Sequence, residues 1–443
     1  MRVLIDGYNL QLEEGTGVAT YSRSLCRLVK NMGHSVEVLY GRPGDRRCDP
    51  LRNEVEFFDR PSGPHNRWSR HLNRAATAAA ACRRGRPVRV PTRGAVLTDA
   101  LAARMPAFDE LWNQAALFES AALRHRVTGG LMSVDNQELR VDLAHWTYPL
   151  PLRVAGAANV YTLHDLVPLR LPYATLDHKA DYLRLLRTIA RTADLILTVS
   201  EASRRDIVDW LEIDEERVVN TYQPVLFPQP LLETSEAQLA EILRGVFGLE
   251  LEGYVLAYGA VEPKKNFGRL IEAYLAADLD IPLVIAGPDG WMVGKELALL
   301  DDERQRVLIN EGTQLRVKRR VQRIGYVPHR QLINLIRGAR CVAFPSLYEG
   351  FGLPIAEAMR CGTAVLTSGL GATAEIAGEA AVLVDPYDTD AIRRGLSDLC
   401  NDSGLRDTLV RSGHERCEHF SPEACAGRLA QAYANAGIDC SPA

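Results

Sequence analysis

The 443-residue sequence has no run of about 18 apolar residues, so no transmembrane helix is expected. Its opening, MRVLIDGYNL, lacks the long apolar stretch of a cleaved signal peptide. The nine cysteines are an odd number, and none are spaced C-x-x-C. That scatter argues for reduced thiols in a cytoplasmic protein and against a zinc site or a disulfide framework. There is no excess of positive charge: the formal net charge is -4, so no nucleic-acid partner is expected. A complete G-x-G-x-x-G fingerprint is missing from GTGVAT, and no acid ends the apolar run that follows, which argues against a nicotinamide cofactor.

What is present is an alternation of short apolar runs with amphipathic segments. RVLID, a Gly-rich turn at Gly15–Gly17, a helical pattern from Val18 to Met32 and SVEVLY form an opening strand–helix–strand unit. Further strands are expected at LAHWTY, ANVYTLHDLVP and LILTVS, with Ser200 capping a helix over EASRRDIVDWL. The proline-rich stretch Tyr222 to Thr234 reads as a linker. A second series follows it, with strands at YVLAYGA, PLVIAG, RVQRIGYV, CVAFPS and TAVLTS separated by helical patterns. Such alternation predicts an α/β protein with two doubly wound, Rossmann-like domains facing across a cleft, whose strand ends carry the ligand. The expected division is 1–225, 226–420 and a C-terminal helix within 421–443. Within the first part, residues 61–93 hold eight arginines and no acid. This basic insertion is either a solvated segment or an attachment to anionic lipid head groups or a phosphorylated acceptor.

The stretch FPSLYEGFGLPIAEAM places Glu349 in a glycine-rich turn and Glu357 in the first turns of a helix. Pro354 suits the first helical position, and Gly350 and Gly352 let a ligand approach the backbone. A helix start with free N–H groups is an anion site, most simply for phosphate. Carboxylates on both sides make sense when the phosphate joins two hydroxyl-bearing groups, since carboxylates accept from vicinal diols. A nucleotide sugar has that order, with the ribose at Glu357 and the hexose at Glu349. The competing reading is an acidic first turn that complements the helix dipole.

EGFGLPIAEAM resembles the signature of the retaining glycosyltransferases of family 4, which have the GT-B fold. GAVEPKKN, YTLHDLVPL, TVSEASRRDI, VIAGPDGW, GYVPHRQL and LVDPYDTDAI resemble family stretches in the same order, so the likeness covers most of the chain. It implies a metal-independent, cofactor-free hexosyltransferase. Glu349, Lys265 and His164 would be catalytic. Gly17, Lys264, Lys265, Phe351, Gly352, Leu353, Glu357, Tyr326 and Val327 would bind the donor. Lys265 would neutralise the leaving diphosphate, with Lys264 assisting where many relatives carry arginine. Asp165 would orient its loop, and Trp291 would stack on the base or merely pack. Asp388 and Asp390 spell D-x-D but suit a helix cap better than a metal. The resemblance implies that the acceptor hydroxyl attacks from the face the diphosphate leaves, so no protein nucleophile is needed. It also implies that the helix Pro422 to Asn435 crosses back to the first domain. GDP-mannose is the first expectation for the donor, with UDP- or dTDP-sugars as alternatives. The acceptor is expected to be a glycan, lipid-linked at the inner membrane face, with contact to an anionic membrane through Arg67, Arg70, Arg74, Arg83, Arg84 and Arg86. A soluble acceptor, or a non-catalytic subunit that binds nucleotide sugar, is the alternative.

Overall fold

The computed structural model describes residues 1–11, 17–43, 50–59, 77–92, 96, 105–176, 178–227, 232–301, 306–311 and 314–438. The central apolar runs become buried strands, and the edges of the sheets are more exposed. In the first half the sheet comprises β1 (Arg2–Asp6), β2 (Ser35–Tyr40), β3 (Val88–Val90), β4 (Glu110–Asn113), β5 (Leu143–Trp146), β6 (Ala158–Thr162), β7 (Leu195–Thr198) and β8 (Val218–Asn220). The second half contributes β9 (Val255–Tyr258), β10 (Leu283–Ala286), β11 (Val321–Ile324), β12 (Cys341–Phe344), β13 (Val365–Ser368) and β14 (Val382–Val384). The helices that bear on the site are α1 (Gly17–Asn31), α2 (Glu201–Leu211), α3 (Leu353–Arg360), α4 (Gly371–Ala377) and α5 (Pro422–Asn435).

The first sheet has the order β8-β7-β6-β5-β1-β2-β4-β3, and the second β11-β10-β9-β12-β13-β14. All neighbours run parallel except β3, which pairs antiparallel with β4. This is the architecture read from the sequence: helix-covered parallel sheets with near-continuous apolar strands. Strands β3, β4, β8 and β14 were not anticipated, and neither was an antiparallel pair formed by Arg306–Glu311 and Gln314–Arg319.

The strand orders fix where ligands can sit. In the first sheet the winding reverses between β1 and β5, and in the second between β9 and β12. At such a reversal the connecting segments leave to opposite sides and open a crevice beyond the strand ends. Gly17 begins α1 after β1, Lys264 and Lys265 follow β9, and Glu349 follows β12. The topology therefore carries residues widely separated in sequence to the two reversal points.

Candidate active site

The β9 end is built around two unusual backbones. Gly259 takes φ +129°, a conformation that disfavours side chains. The turn Pro263–Lys265 then ends at Asn266, held left-handed at φ +62°. Asn266 is buried, and its amide donates to the carbonyls of Pro345 at 3.0 Å and Pro386 at 2.8 Å. These bonds tie the lysine turn to the ends of β12 and β14. Leu347 N–H also donates to the Lys264 carbonyl at 2.8 Å.

On this frame Lys265 Nζ donates to Glu349 Oε1 at 2.6 Å, and Ser346 Oγ donates to the same oxygen at 2.9 Å. Lys264 Nζ lies 3.7 Å from Glu349 Oε2. Glu349 is buried, at 9% exposure. Burial alone pushes its carboxyl upward, but Lys264, Lys265 and the bonds from Lys265 and Ser346 outweigh it and hold the group below the usual glutamate value. For Lys264, burial disfavours the charge, and Glu349, Asp165 and Glu262 more than restore it, so the ammonium stays protonated. Lys265 Nζ also sits 4.6 Å from the centre of the Phe344 ring. The result is a desolvated pair of cations whose counter-charges are side chains that hydroxyl groups could displace.

The corner after Glu349 turns as its sequence suggests, with one adjustment. Gly352 has φ +92° and precedes α3, which starts at Leu353, so Pro354 is its second residue and not its first. No side chain caps this helix. Phe351 is buried and packs edge-on against Phe420 at 5.2 Å. Glu357 is also buried, and Tyr258 at the β9 end donates to its Oε2 at 2.9 Å. Burial pushes Glu357 up to about 7, against the opposing pull of the Tyr258 bond and the Lys265 charge. The two carboxylates of the motif thus differ: one is held ionised by lysines, and the other is poised near neutrality.

His164 follows β6 in the first half and meets this corner from the other side. A Cβ on Gly350 would stand 2.5 Å from the His164 carbonyl oxygen, so only glycine allows the approach. His164 Nε2 donates to the Thr147 carbonyl at 2.9 Å, which assigns the proton to Nε2 and leaves Nδ1 as an acceptor. The ring also packs edge-on against Tyr21 at 4.8 Å. Burial lowers its pKa, with the Thr147 bond and Asp165 opposing, so the imidazole is neutral. Asp165 Oδ1 accepts from Val167 N–H at 2.9 Å, which holds the loop.

The remaining predicted residues are more dispersed. Gly17 is exposed at the start of α1, while Gly15 and Thr16 lie outside the described residues. Tyr326 is exposed beyond β11, and Val327 packs partly against the core. Trp291 Nε1 donates to the Ala174 carbonyl at 2.6 Å, linking the two halves. Asp388 caps the helix that starts at Thr389, accepting from the N–H groups of Asp390 at 2.8 Å and Ala391 at 3.1 Å. The Tyr433 hydroxyl of α5 is 2.6 Å from Nδ1 of His145, which lies on β5 of the first half. Of the basic stretch, Arg67, Arg70, Arg74 and Arg93 lie outside the described residues. Arg83 and Arg84 are exposed, and Arg86 and Arg89 face Asp135 at 3.8 Å and Glu110 at 2.8 Å. Sequence reasoning missed Tyr258, Ser346 and Glu262 as neighbours of the site. The first two carry no local signal, whereas Glu262 lies inside the lysine motif.

Comparison with known proteins agrees with this fold. Residues 121–225 match the model described as Glycosyltransferase Family 4, and residues 242–416 match Glycosyl transferases group 1. The chain is 32% identical over 289 residues to O-antigen chain mannosyltransferase B of Escherichia coli, covering 64% of this chain and 71% of that one. It is 28% identical over 283 residues to the serotype-specific mannosyltransferase WbdA of the same species, covering 62% of this chain and 33% of that longer protein. Among solved structures, HepE of Anabaena in complex with UDP-glucose superposes with a TM-score of 0.63 at 16% identity, covering 98% of this chain and 99% of that one. WaaG, a glycosyltransferase involved in lipopolysaccharide biosynthesis, gives 0.59 at 15% identity, covering 99% and 100%.

Proposed function

Because this chain belongs to glycosyltransferase family 4, a family of retaining hexosyltransferases with the GT-B fold, we propose that it moves a mannose from GDP-mannose to a hydroxyl of a growing, lipid-linked glycan. The observation that carries the reading is the Lys264–Lys265–Glu349 cluster at the reversal of the second sheet, next to the uncapped start of α3. The donor diphosphate lies over that helix start, with Lys265 and Lys264 on its leaving oxygens. The ribose hydroxyls take Glu357 from Tyr258, and the hexose hydroxyls take Glu349 from the lysines. His164 faces the sugar from the first half, with Gly17 toward the diphosphate and Tyr326 and Val327 toward the base. The bond from the sugar carbon to the β-phosphate oxygen breaks, and the acceptor oxygen bonds that carbon on the same face. The acceptor proton passes to the leaving phosphate. This route calls for neither a metal nor a protein nucleophile.

The choice of mannose and of a surface glycan follows the names of the Escherichia coli relatives. The division of labour is proposed as residues 1–225 for the acceptor and 226–420 for the donor, with the segment 421–443 returning to the first part. A cytoplasmic location at the inner membrane face is proposed from the arginines, of which Arg83 and Arg84 are exposed. No helix among the described residues is long and apolar enough to cross a membrane. Thermal-shift measurement with GDP-mannose, UDP-glucose and dTDP-rhamnose tests the donor, and a larger shift with a uracil or thymine nucleotide overturns the mannose assignment. Donor hydrolysis by wild type, lost in Lys265→Ala, separates an enzyme from a binding subunit. Liposome co-sedimentation of a variant with Arg83, Arg84 and Arg86 changed to glutamine tests the membrane contact, which is refuted by unchanged binding.

A further inference from the structure

Glu262 is the one charged residue of the lysine motif with no assigned task. It precedes the Pro263–Lys265 turn but forms no side-chain cap there. Its Oε2 is fully buried, and no described residue donates a hydrogen bond to it. An unmet carboxylate oxygen in that setting is costly and calls for a reason. The nearest cation is Lys264, whose Nζ stands 4.0 Å from that oxygen and 3.7 Å from Glu349 Oε2. The ammonium hangs between two carboxylates, beyond hydrogen-bond reach of both. The room for Glu262 is built in. A Cβ on Gly290 would stand 2.8 Å from Glu262 Cγ and 2.7 Å from the Val261 carbonyl oxygen. Gly290 N–H donates to that same carbonyl at 3.2 Å, so this contact fixes the slot.

Consider what happens when Glu349 is drawn to sugar hydroxyls and Lys265 to phosphate. Lys264, a compact charge on a flexible stem, then loses its shared carboxylate; of the two other carboxylates that act on it, Asp165 and Glu262, Glu262 is the one within 4.0 Å of its ammonium. A side-chain shift of about 1 Å brings its ammonium onto Glu262 Oε2 at ordinary hydrogen-bond distance. We propose that Glu262 is a positioning residue which receives the Lys264 ammonium when a donor engages Glu349 and Lys265, and so moors that charge beside the diphosphate. This rests on the nucleotide-sugar reading of the site.

The sign of one measurement separates mooring from proximity. A carboxylate that is merely nearby repels a diphosphate, so neutralising it tightens binding. A carboxylate that moors Lys264 weakens binding when neutralised. Titration calorimetry with GDP and UDP on wild type, Glu262→Gln, Lys264→Met and the double variant provides the cycle. We expect Glu262→Gln to weaken the better nucleotide by about 5- to 30-fold, and by under about 2-fold in the Lys264→Met background. Tighter or unchanged binding, or equal weakening in both backgrounds, overturns the proposal. Melting temperatures without nucleotide identify a variant that has not folded. Glu262→Asp then replaces it, with charge kept and reach lost, and weakening is again expected only where Lys264 is present. Wild type that binds neither diphosphate overturns the site reading and this proposal together. Wild-type binding with additive variants overturns this proposal alone.

Discussion

Glu349 and Glu357 belong to one motif and one corner, yet the structure gives them opposite electrostatics. The lysines keep Glu349 ionised, so it contributes stability at neutral pH that is lost as pH falls through its depressed folded value. Glu357 is raised by burial from the ordinary 4.5 to about 7. The folded chain therefore holds a proton there that the unfolded chain has released, and stability falls as pH rises between those two values. Glu357→Gln keeps the shape without the charge. Its thermal melt at pH 8 is expected to exceed wild type by the equivalent of about 1–3 kcal/mol, with the gain vanishing below pH 4.5. Nucleotide binding is expected to weaken in Glu357→Ala with turnover at saturation largely kept. Glu349→Ala is expected to lose about 100-fold or more in turnover with little loss of nucleotide affinity. Equal effects of the two changes on both constants would sink the assignment of separate ribose and hexose roles. The residue pair was legible in the sequence because both carboxylates and the turn between them are local. Their unequal pKa values were not, because Lys265 reaches Glu349 from 84 residues away and Tyr258 reaches Glu357 from 99, and only Ser346 is near.

Among elements, the strand-end loops of the second half show what glycine is for. Gly287 ends β10 with φ +143°, and a Cβ there would lie 2.1 Å from the Gly259 carbonyl oxygen at the end of β9. Two backbones meet where the ligand loops begin. Gly287→Ala has to move a strand end and adopt a strained φ, so a loss of at least about 2 kcal/mol is expected from its urea midpoint. An unchanged midpoint would show that the loops are free to separate. The alternation of elements was readable because a buried parallel strand is a short apolar run and its crossover helix keeps a polar stripe. β3 and β4 escaped because VRV and ELWN are short and carry charge, and their place at one edge of the sheet comes from pairing with β2 and with each other.

For the whole molecule, the contact between halves decides whether a site exists. Glu375 of α4 accepts from the N–H groups of Glu201 and Ala202, each at 2.8 Å, and so caps the start of α2 across the cleft. Ser203 Oγ donates to the Gly350 carbonyl at 3.2 Å, and Tyr348 bonds to Asp206. Gly350 itself is pressed against His164. Gly350→Ala adds a methyl group at that seam without a forbidden φ, so each half keeps its fold while the two are wedged apart. We expect kcat/KM to fall by about 10-fold or more, with a small rise in the radius of gyration by X-ray scattering and a loss of stability under about 2 kcal/mol. Full activity in this variant would mean that the seam opens freely during turnover.

The sequence by itself determined the α/β alternation, the glycine corner and the order of its motifs, because each of these is a short-range pattern of propensity and spacing. Only the tertiary structure decided that the lysine turn meets Glu349, that Tyr258 meets Glu357, that Glu375 caps a helix 174 residues away and that Glu262 Oε2 has no donor among the described residues. Those facts depend on where two sheets reverse their winding and on how closely two halves approach. No local stretch of chain encodes either one.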